Sequence, residues 1–290
     1  MTAGATGRET GLSIIAGGGS MPVTVAKAAR AAGRHVHIFG ISGAAGPEIE
    51  KFPHSWINFG HIGKILSVAR AEGCRDMVIV GGVRRPRFAE LRLDLGAVLN
   101  LPFILGWVVG GDNSVLSGII RFFESKGFRV VGAHEIAPDL IAGKGVFTRR
   151  KPGKIDRQDI QLGLDVIAAL GALDVGQAAV VAHRYVLAVE AAEGTDRMLE
   201  RCAQLNRWGK ADTRKRAGVL VKGAKPGQER RIDLPTVGPE TVRNAAAAGL
   251  AGIALAANDV LILERENFIR AADEAGLFVV GVDTDSGTAT

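Results

Sequence analysis

Two kinds of residue cluster in this chain have the chemistry to handle phosphate. The first is glycine at the ends of apolar runs. Gly17, Gly18, Gly19 and Ser20 lie between one such run and a helix-like stretch. Without Cβ atoms their backbone can approach an anion closely, and amides at a helix N-terminus attract one. The same residues also make a plain tight turn. The pattern is neither GxGxxG nor a Walker A loop. Gly81, Gly82 and Val83 precede Arg84, Arg85 and Arg87. Forked guanidinium donors match phosphate oxygens, and the alternative is a solvated basic loop. At Gly111-Asp112-Asn113 the side chains either cap a helix or hold a divalent cation beside phosphate ligands.

The second kind is carboxylates set among basic residues. Glu190, Glu193 and Asp196 surround Gly194 and Thr195, and one Pro/Gly-rich stretch holds Lys222, Lys225, Gln228, Glu229, Arg230, Arg231, Asp233 and Thr236. Such a stretch is either an exposed turn or a shaped site. An aspartate between cations has its ionised form favoured, which suits a metal ligand or an electrostatic anchor. Phosphoryl chemistry is mostly positioning and charge neutralisation, and these are the parts it needs. Other chemistries lack their residues: there is no HExxH and no GxSxG, and the six histidines are scattered. The three tryptophans are too far apart to suggest a stacking platform for nucleic acid.

The elements that must carry these residues alternate between short Val/Ile runs and helix-period segments. In the first half, "GLSIIAGG", "RHVHIFGI", "DMVIVGG" and "FRVVGA" are predicted strands, and "PVTVAKAARAAG", "IGKILSVARAEG" and "NSVLSGIIRFFESKG" are predicted helices. This argues for a parallel sheet covered by helices. The glycines fall at the strands' carboxyl ends, where open parallel sheets bind ligands. A seam near "GKGVFTRRKPGKID" separates this half from a second α/β half. The expected organisation is an N-terminal Rossmann-like parallel-sheet domain over 1–140, a linker over 141–155 and a distinct C-terminal catalytic α/β domain over 156–290. The first ten residues read as a frayed terminus and not a signal peptide.

Composition supports an α/β enzyme. Of 290 residues 47% are apolar, and only two are cysteines, Cys74 and Cys202, in no CxxC pattern. A disulfide scaffold or thiolate metal site is therefore not expected, and a reducing cytoplasm is. The most apolar window, "AVLNLPFILGWVVGG", is broken by Asn100, Pro102 and Gly106 and falls short of a membrane span. A net charge of +6 and a pI near 9.6 point to acidic partners.

"IAGGGSMP", "VGGVRRP", "VVGAHEIAPDL", "DVGQAAVVAHRYVLAVEAAEGTD", "KGAKPGQERRIDLPTVGPETV" and "LFVVGVD" occur in that order along almost the whole chain. In these segments the sequence resembles the LpxI-type UDP-2,3-diacylglucosamine pyrophosphatases of lipid A biosynthesis. The resemblance implies a Mg²⁺-dependent hydrolase with its site between two domains. Water would attack the α-phosphorus of a UDP-linked, diacylated glucosamine, giving UMP and 2,3-diacylglucosamine 1-phosphate (lipid X). Asp233 matches the essential aspartate, with Glu193 and Asp196 as further metal ligands. Gly17, Gly18, Gly19, Ser20, Gly81, Gly82, Val83, Arg84, Arg85 and Asp112 would bind substrate from the first domain. Gln177, Glu190, Thr195, Lys222 and Lys225 would bind it from the second. The resemblance further implies a cytoplasmic protein peripheral to the inner membrane, a homodimer as one oligomeric form, and no nucleic-acid partner. The chain departs from the family pattern at Asn113, at Glu229 and in "LAANDVLIL". The rival reading is another nucleotide-sugar or dinucleotide enzyme, a transferase or an NAD-dependent oxidoreductase.

Overall fold

A computed structural model describes residues 10–83, 94, 96, 112–205 and 216–284. The chain divides into two units, Met1–Pro138 with Glu229–Asp233, and Asp139–Gln228 with Leu234–Thr290.

The first unit is built on five parallel strands in the order β3-β2-β1-β4-β5: β1 (Gly11–Ala16), β2 (Val36–Ile41), β3 (His54–Ile57), β4 (Cys74–Val80) and β5 (Arg129–Val130). Strands β1 and β2 are buried at every position, as strands covered on both faces must be. The unit's helices include α1 (Met21–Ala31), α2 (Ile62–Ala71), α3 (Asp112–Ser125) and the short α4 (Ala133–Ile136). Pro22 sits in the first turn of α1, where its missing N–H costs nothing. Gly33 and Gly73, both at positive φ, follow α1 and α2. Ile15, Phe39, Ile65, Met77, Ile120 and Phe122 share one core cluster. The strand order is that of dinucleotide-binding sheets, and its crevice opens where β1 and β4 lie side by side. The expected parallel-sheet domain is therefore present. Strand β3 was not anticipated: it is short, and three of its four positions are only half-buried.

The amino-terminal ends of β2, β4 and β5 are tied by Asp76. Its buried carboxylate accepts from Arg34 at 2.6 Å and from Arg129 at 2.8 Å through each oxygen. Burial alone would raise its pKa, but the bonds from Arg129 and Arg34 outweigh it, and the net value lies below the usual carboxylate range. A depressed folded-state value means stability that is present above the unfolded value of about 3.9 and lost as pH falls through the folded one. Asp76→Asn is expected to cost about 2 kcal/mol at neutral pH. Urea titrations should show that gap closing as the pH falls below about 4; a gap independent of pH would refute this account.

The second unit holds a six-stranded sheet in the order β6-β13-β11-β9-β7-β8. Its strands are β6 (Gly145–Val146), β7 (Ala178–Ala182), β8 (Tyr185–Val189), β9 (Val219–Lys222), β11 (Gly252–Ala256) and β13 (Phe278–Val282), with β10 (Thr236–Val237) and β12 (Leu261–Ile262) forming a separate parallel pair. β9, β11 and β13 are parallel; β7 runs against β9, and β8 and β6 run against β7 and β13. The stretch 141–155 is folded into this unit. Ile141 bridges to Leu261, and the Thr148 hydroxyl accepts from the Val279 amide at 2.8 Å.

Among the described residues, four helices cover this sheet: α5 (Lys154–Ala172), α6 (Thr195–Ala203), α7 (Pro239–Ala247) and α8 (Arg265–Glu274). Ile160 and Ile167 of α5 share a cluster with Val219, Val221 and Phe278. Met198, Val242 and Phe268, from α6, α7 and α8, share another with Leu220, Ile253 and Val279. The β7–β8 hairpin turns through His183 and Arg184, both at positive φ, the geometry that suits a two-residue hairpin. Asp159 of α5, 1% exposed, accepts from both amides at 2.9 and 2.6 Å and so holds two non-glycine residues there.

Candidate functional site

Strand directions in the second unit bring three functional positions to one edge. Gln177 immediately precedes β7, Glu190 immediately follows β8, and Lys222 is the last residue of β9. Because β7 runs against both neighbours, its start lies beside their ends, with Ala178 paired to Lys222 and Ala179 to Val189. Thr195 opens α6 just beyond, after Gly194 at φ +81°. The Lys222 ammonium donates to Thr195 Oγ1 at 2.6 Å, and that hydroxyl donates to Glu190 Oε2 at 3.0 Å.

All three side chains are buried: Glu190 and Thr195 are 7% exposed and Lys222 5%. Burial pushes the Lys222 pKa down, while the charges of Glu190 and Asp196 oppose the shift. A hydroxyl has one proton to give. With the ammonium donating to it, the Thr195 proton is directed at Glu190, so the orientation of the group is set before any ligand arrives. The structure thus gathers Glu190, Thr195 and Lys222 as one buried chain of hydrogen bonds.

A second group forms along the loop after β9. Gln228, 8% exposed, accepts from the Lys225 amide at 2.9 Å and donates to Gln177 Oε1 at 3.3 Å. Lys225 Nζ is paired with Asp174 at 2.8 Å. Glu193 is paired with Arg201 at 2.7 Å; its own backbone amide and Arg201 both hold its carboxyl below the ordinary range. Asp196 accepts from Asn244 at 3.0 Å.

In the first unit the glycines prove to be packing residues before they are anything else. Gly17 donates to the Val80 carbonyl at 2.8 Å, and Gly18 and Gly82 exchange reciprocal bonds at 2.8 and 3.0 Å. A Cβ on Gly17 would meet the Gly81 and Gly82 carbonyl oxygens at 2.7 Å. The loops after β1 and β4 therefore cross backbone against backbone, which only glycine permits. Their amides are committed to this crossing. The donors open to an anion shift to Gly19 and Ser20, for which no backbone bond is found among the described residues. Ser20 precedes α1 and makes no side-chain cap. Val83 is exposed beside them. Arg84 and Arg85 lie outside the described residues, and Asp112 is described only as the first backbone position of α3.

Asp233 belongs to the first unit, in the short segment Glu229–Asp233. The amides of Ile232 and Asp233 both bond to the Glu229 carbonyl, at 3.2 and 3.0 Å. Ile232 packs against the core cluster of this unit. Arg231 donates through Nε and Nη2 to the two Glu229 oxygens, both at 2.9 Å, and through Nη1 to Glu124 at 2.8 Å. Arg231, Glu124 and Gln228 were not singled out as site residues from the sequence. Arg231 and Gln228 were visible in the charged loop, whereas nothing in the local spacing points to Glu124.

The oxygen donors of Asp196, Glu193 and Asp233 are of the kind Mg²⁺ takes. Among the described residues, however, no three His, Cys, Asp or Glu side chains are arranged as a metal-binding group. A preformed all-protein cage does not fit these residues.

The comparisons with known proteins agree along the chain. A model of the LpxI N-terminal domain matches residues 11–140, and a model of the LpxI C-terminal domain matches residues 143–280. The chain is also similar to the UDP-2,3-diacylglucosamine pyrophosphatase LpxI of Caulobacter vibrioides, 42% identical over 272 residues that cover 94% of this chain and 97% of that protein.

Proposed function

The chain belongs to the LpxI family, and on that footing we propose that it is a hydrolase that cleaves the pyrophosphate of UDP-2,3-diacylglucosamine. The observation that carries this reading is the 42% identity to a pyrophosphatase of that name along 94% of the chain. The products are UMP and lipid X, from attack of water on the α-phosphorus, at a site to which both units contribute. Gly19 and Ser20 supply amide donors from the first unit. The Lys222–Thr195–Glu190 chain, with Gln177 and Lys225, presents polar groups from the second. Asp233 orients the water.

The reaction depends on Mg²⁺. With no preformed cage, the ion would be held by Asp233 and Asp196, completed by substrate oxygens and water. It would supply charge neutralisation at the phosphates. Glu193 would join only by giving up Arg201. Among the described residues no helix is long and apolar enough to cross a membrane. The basic charge would bring the protein to an anionic inner-membrane surface, where a diacylated substrate resides. Its place is the cytoplasmic face.

The test is hydrolysis of UDP-2,3-diacylglucosamine with and without Mg²⁺, run in ¹⁸O-labelled water. Metal-stimulated release of UMP, with the label in UMP and not in lipid X, is the expected result. No UMP release defeats the reading. Label in lipid X would place the attack on the other phosphorus.

A further inference from the structure

Chain order places residues 229–233 between β9 and β10 of the second unit, yet the segment is part of the first. Two devices hold it there. Ile232 packs beside the cluster that contains Phe122, Phe123 and Ile120. Arg231 spans two carboxylates, with a forked pair of bonds to Glu229 and a single bond to Glu124 on α3. The Glu229 carbonyl receives the amide of Asp233. Residue 233 is thus linked through Glu229 and Arg231 to a helix of the first unit at Glu124, 107 positions from Arg231 in sequence.

We propose that Arg231 is a positioning residue for Asp233. Clamped between Glu229 and Glu124, it fixes the segment that carries the proposed catalytic carboxylate on the unit that carries the glycine crossing. This rests on the functional reading above, and it adds to that reading the unit to which the Asp233 segment is fixed. A planar, five-donor guanidinium can engage two carboxylates at once, and an ammonium cannot reproduce that fork. The two Glu229 oxygens reach Nε and Nη2 of the residue two positions on.

Arg231→Met and Glu124→Gln test the clamp, with Arg231→Lys as the conservative variant. Misplacing a reacting group by about 1 Å costs on the order of 100-fold. Arg231→Met is therefore expected to lower kcat about 100-fold, and Glu124→Gln, which keeps an acceptor but takes the charge from one of three bonds, about 10-fold, with KM changed less than about 3-fold in both. Arg231→Lys should recover only part of the loss. A loss of folding alone would lower the apparent kcat only by the unfolded fraction at the assay temperature, with a lowered melting temperature beside it. Hydrogen exchange separates the two: at unchanged melting temperature, the Ile232 and Asp233 amides should exchange at least about 10-fold faster in Glu124→Gln than in the wild-type protein.

Unchanged exchange at those amides, or wild-type kcat in both variants, overturns the proposal. If the wild-type protein releases no UMP, the functional reading fails instead. The exchange measurement then still decides whether the clamp holds the segment.

Discussion

Asp233→Asn is expected to fold as the wild-type protein does and to lose about 10²–10⁴-fold in kcat, the range spanned by a positioned proton-transfer group. The substitution is isosteric, so the backbone bond from residue 233 to the Glu229 carbonyl and the packing of Ile232 should survive. Only the charge and the proton-accepting capacity go. The binding assigned to the Gly19 and Ser20 amides should be untouched, whereas the Mg²⁺ concentration needed for half-maximal rate should rise, because Asp233 is also a proposed holder of the ion. Steady-state kinetics with matched melting curves check this. If Asp233→Asn keeps kcat within about threefold, a range no lost catalytic base allows, Asp233 is not the reacting carboxylate. The family assignment, which rests on the whole chain, would stand.

What the sequence revealed followed the range of the interactions involved. Continuous apolar runs such as "LSIIA" and "MVIV" name buried parallel strands without reference to partners, and both β1 and β4 are found where they fall. Gly17 and Gly82 were visible as special positions, but a cradle and a turn require the same residue. Only the pairing of the two loops shows that the Gly17, Gly18 and Gly82 amides are already spent on backbone carbonyls. The charged loop was harder. A run such as "KPGQERRID" looks the same whether its charges face water or each other. Its decisive contacts reach Gln177 and Glu124, 51 and 107 residues away. Local spacing carries no trace of such partners. The short strands β3, β6 and β10 were illegible for a related reason: strands of two to four residues are defined by the neighbour they pair with, not by their own pattern.

The burial of Lys222 leads to the other large effect. An ammonium 5% exposed faces a carboxylate 7% exposed through one hydroxyl, and each charge partly offsets the cost of burying the other. Removing either partner strands the other in a low-dielectric interior, at a cost of about 3–5 kcal/mol. Glu190→Gln should show a loss of that order in urea denaturation, and Lys222→Met a smaller one, since it also removes the burial cost of the ammonium. The double variant should lose clearly less than the sum, since two uncharged side chains leave no stranded charge. Strict additivity would mean that the two groups do not sense each other.

The pH dependence has a definite sign. Burial lowers the Lys222 pKa in the folded state, so the unfolded chain binds more protons between that value and the unfolded value of about 10.4. Wild-type stability should therefore gain a rising component as pH increases through that window, and Lys222→Met should lack it. A buried ammonium that costs stability is retained here beside a hydroxyl whose proton it directs. Thr195→Val, which removes the bridge and keeps the shape, should then lower both stability and turnover, whereas a purely architectural lysine would lower stability alone.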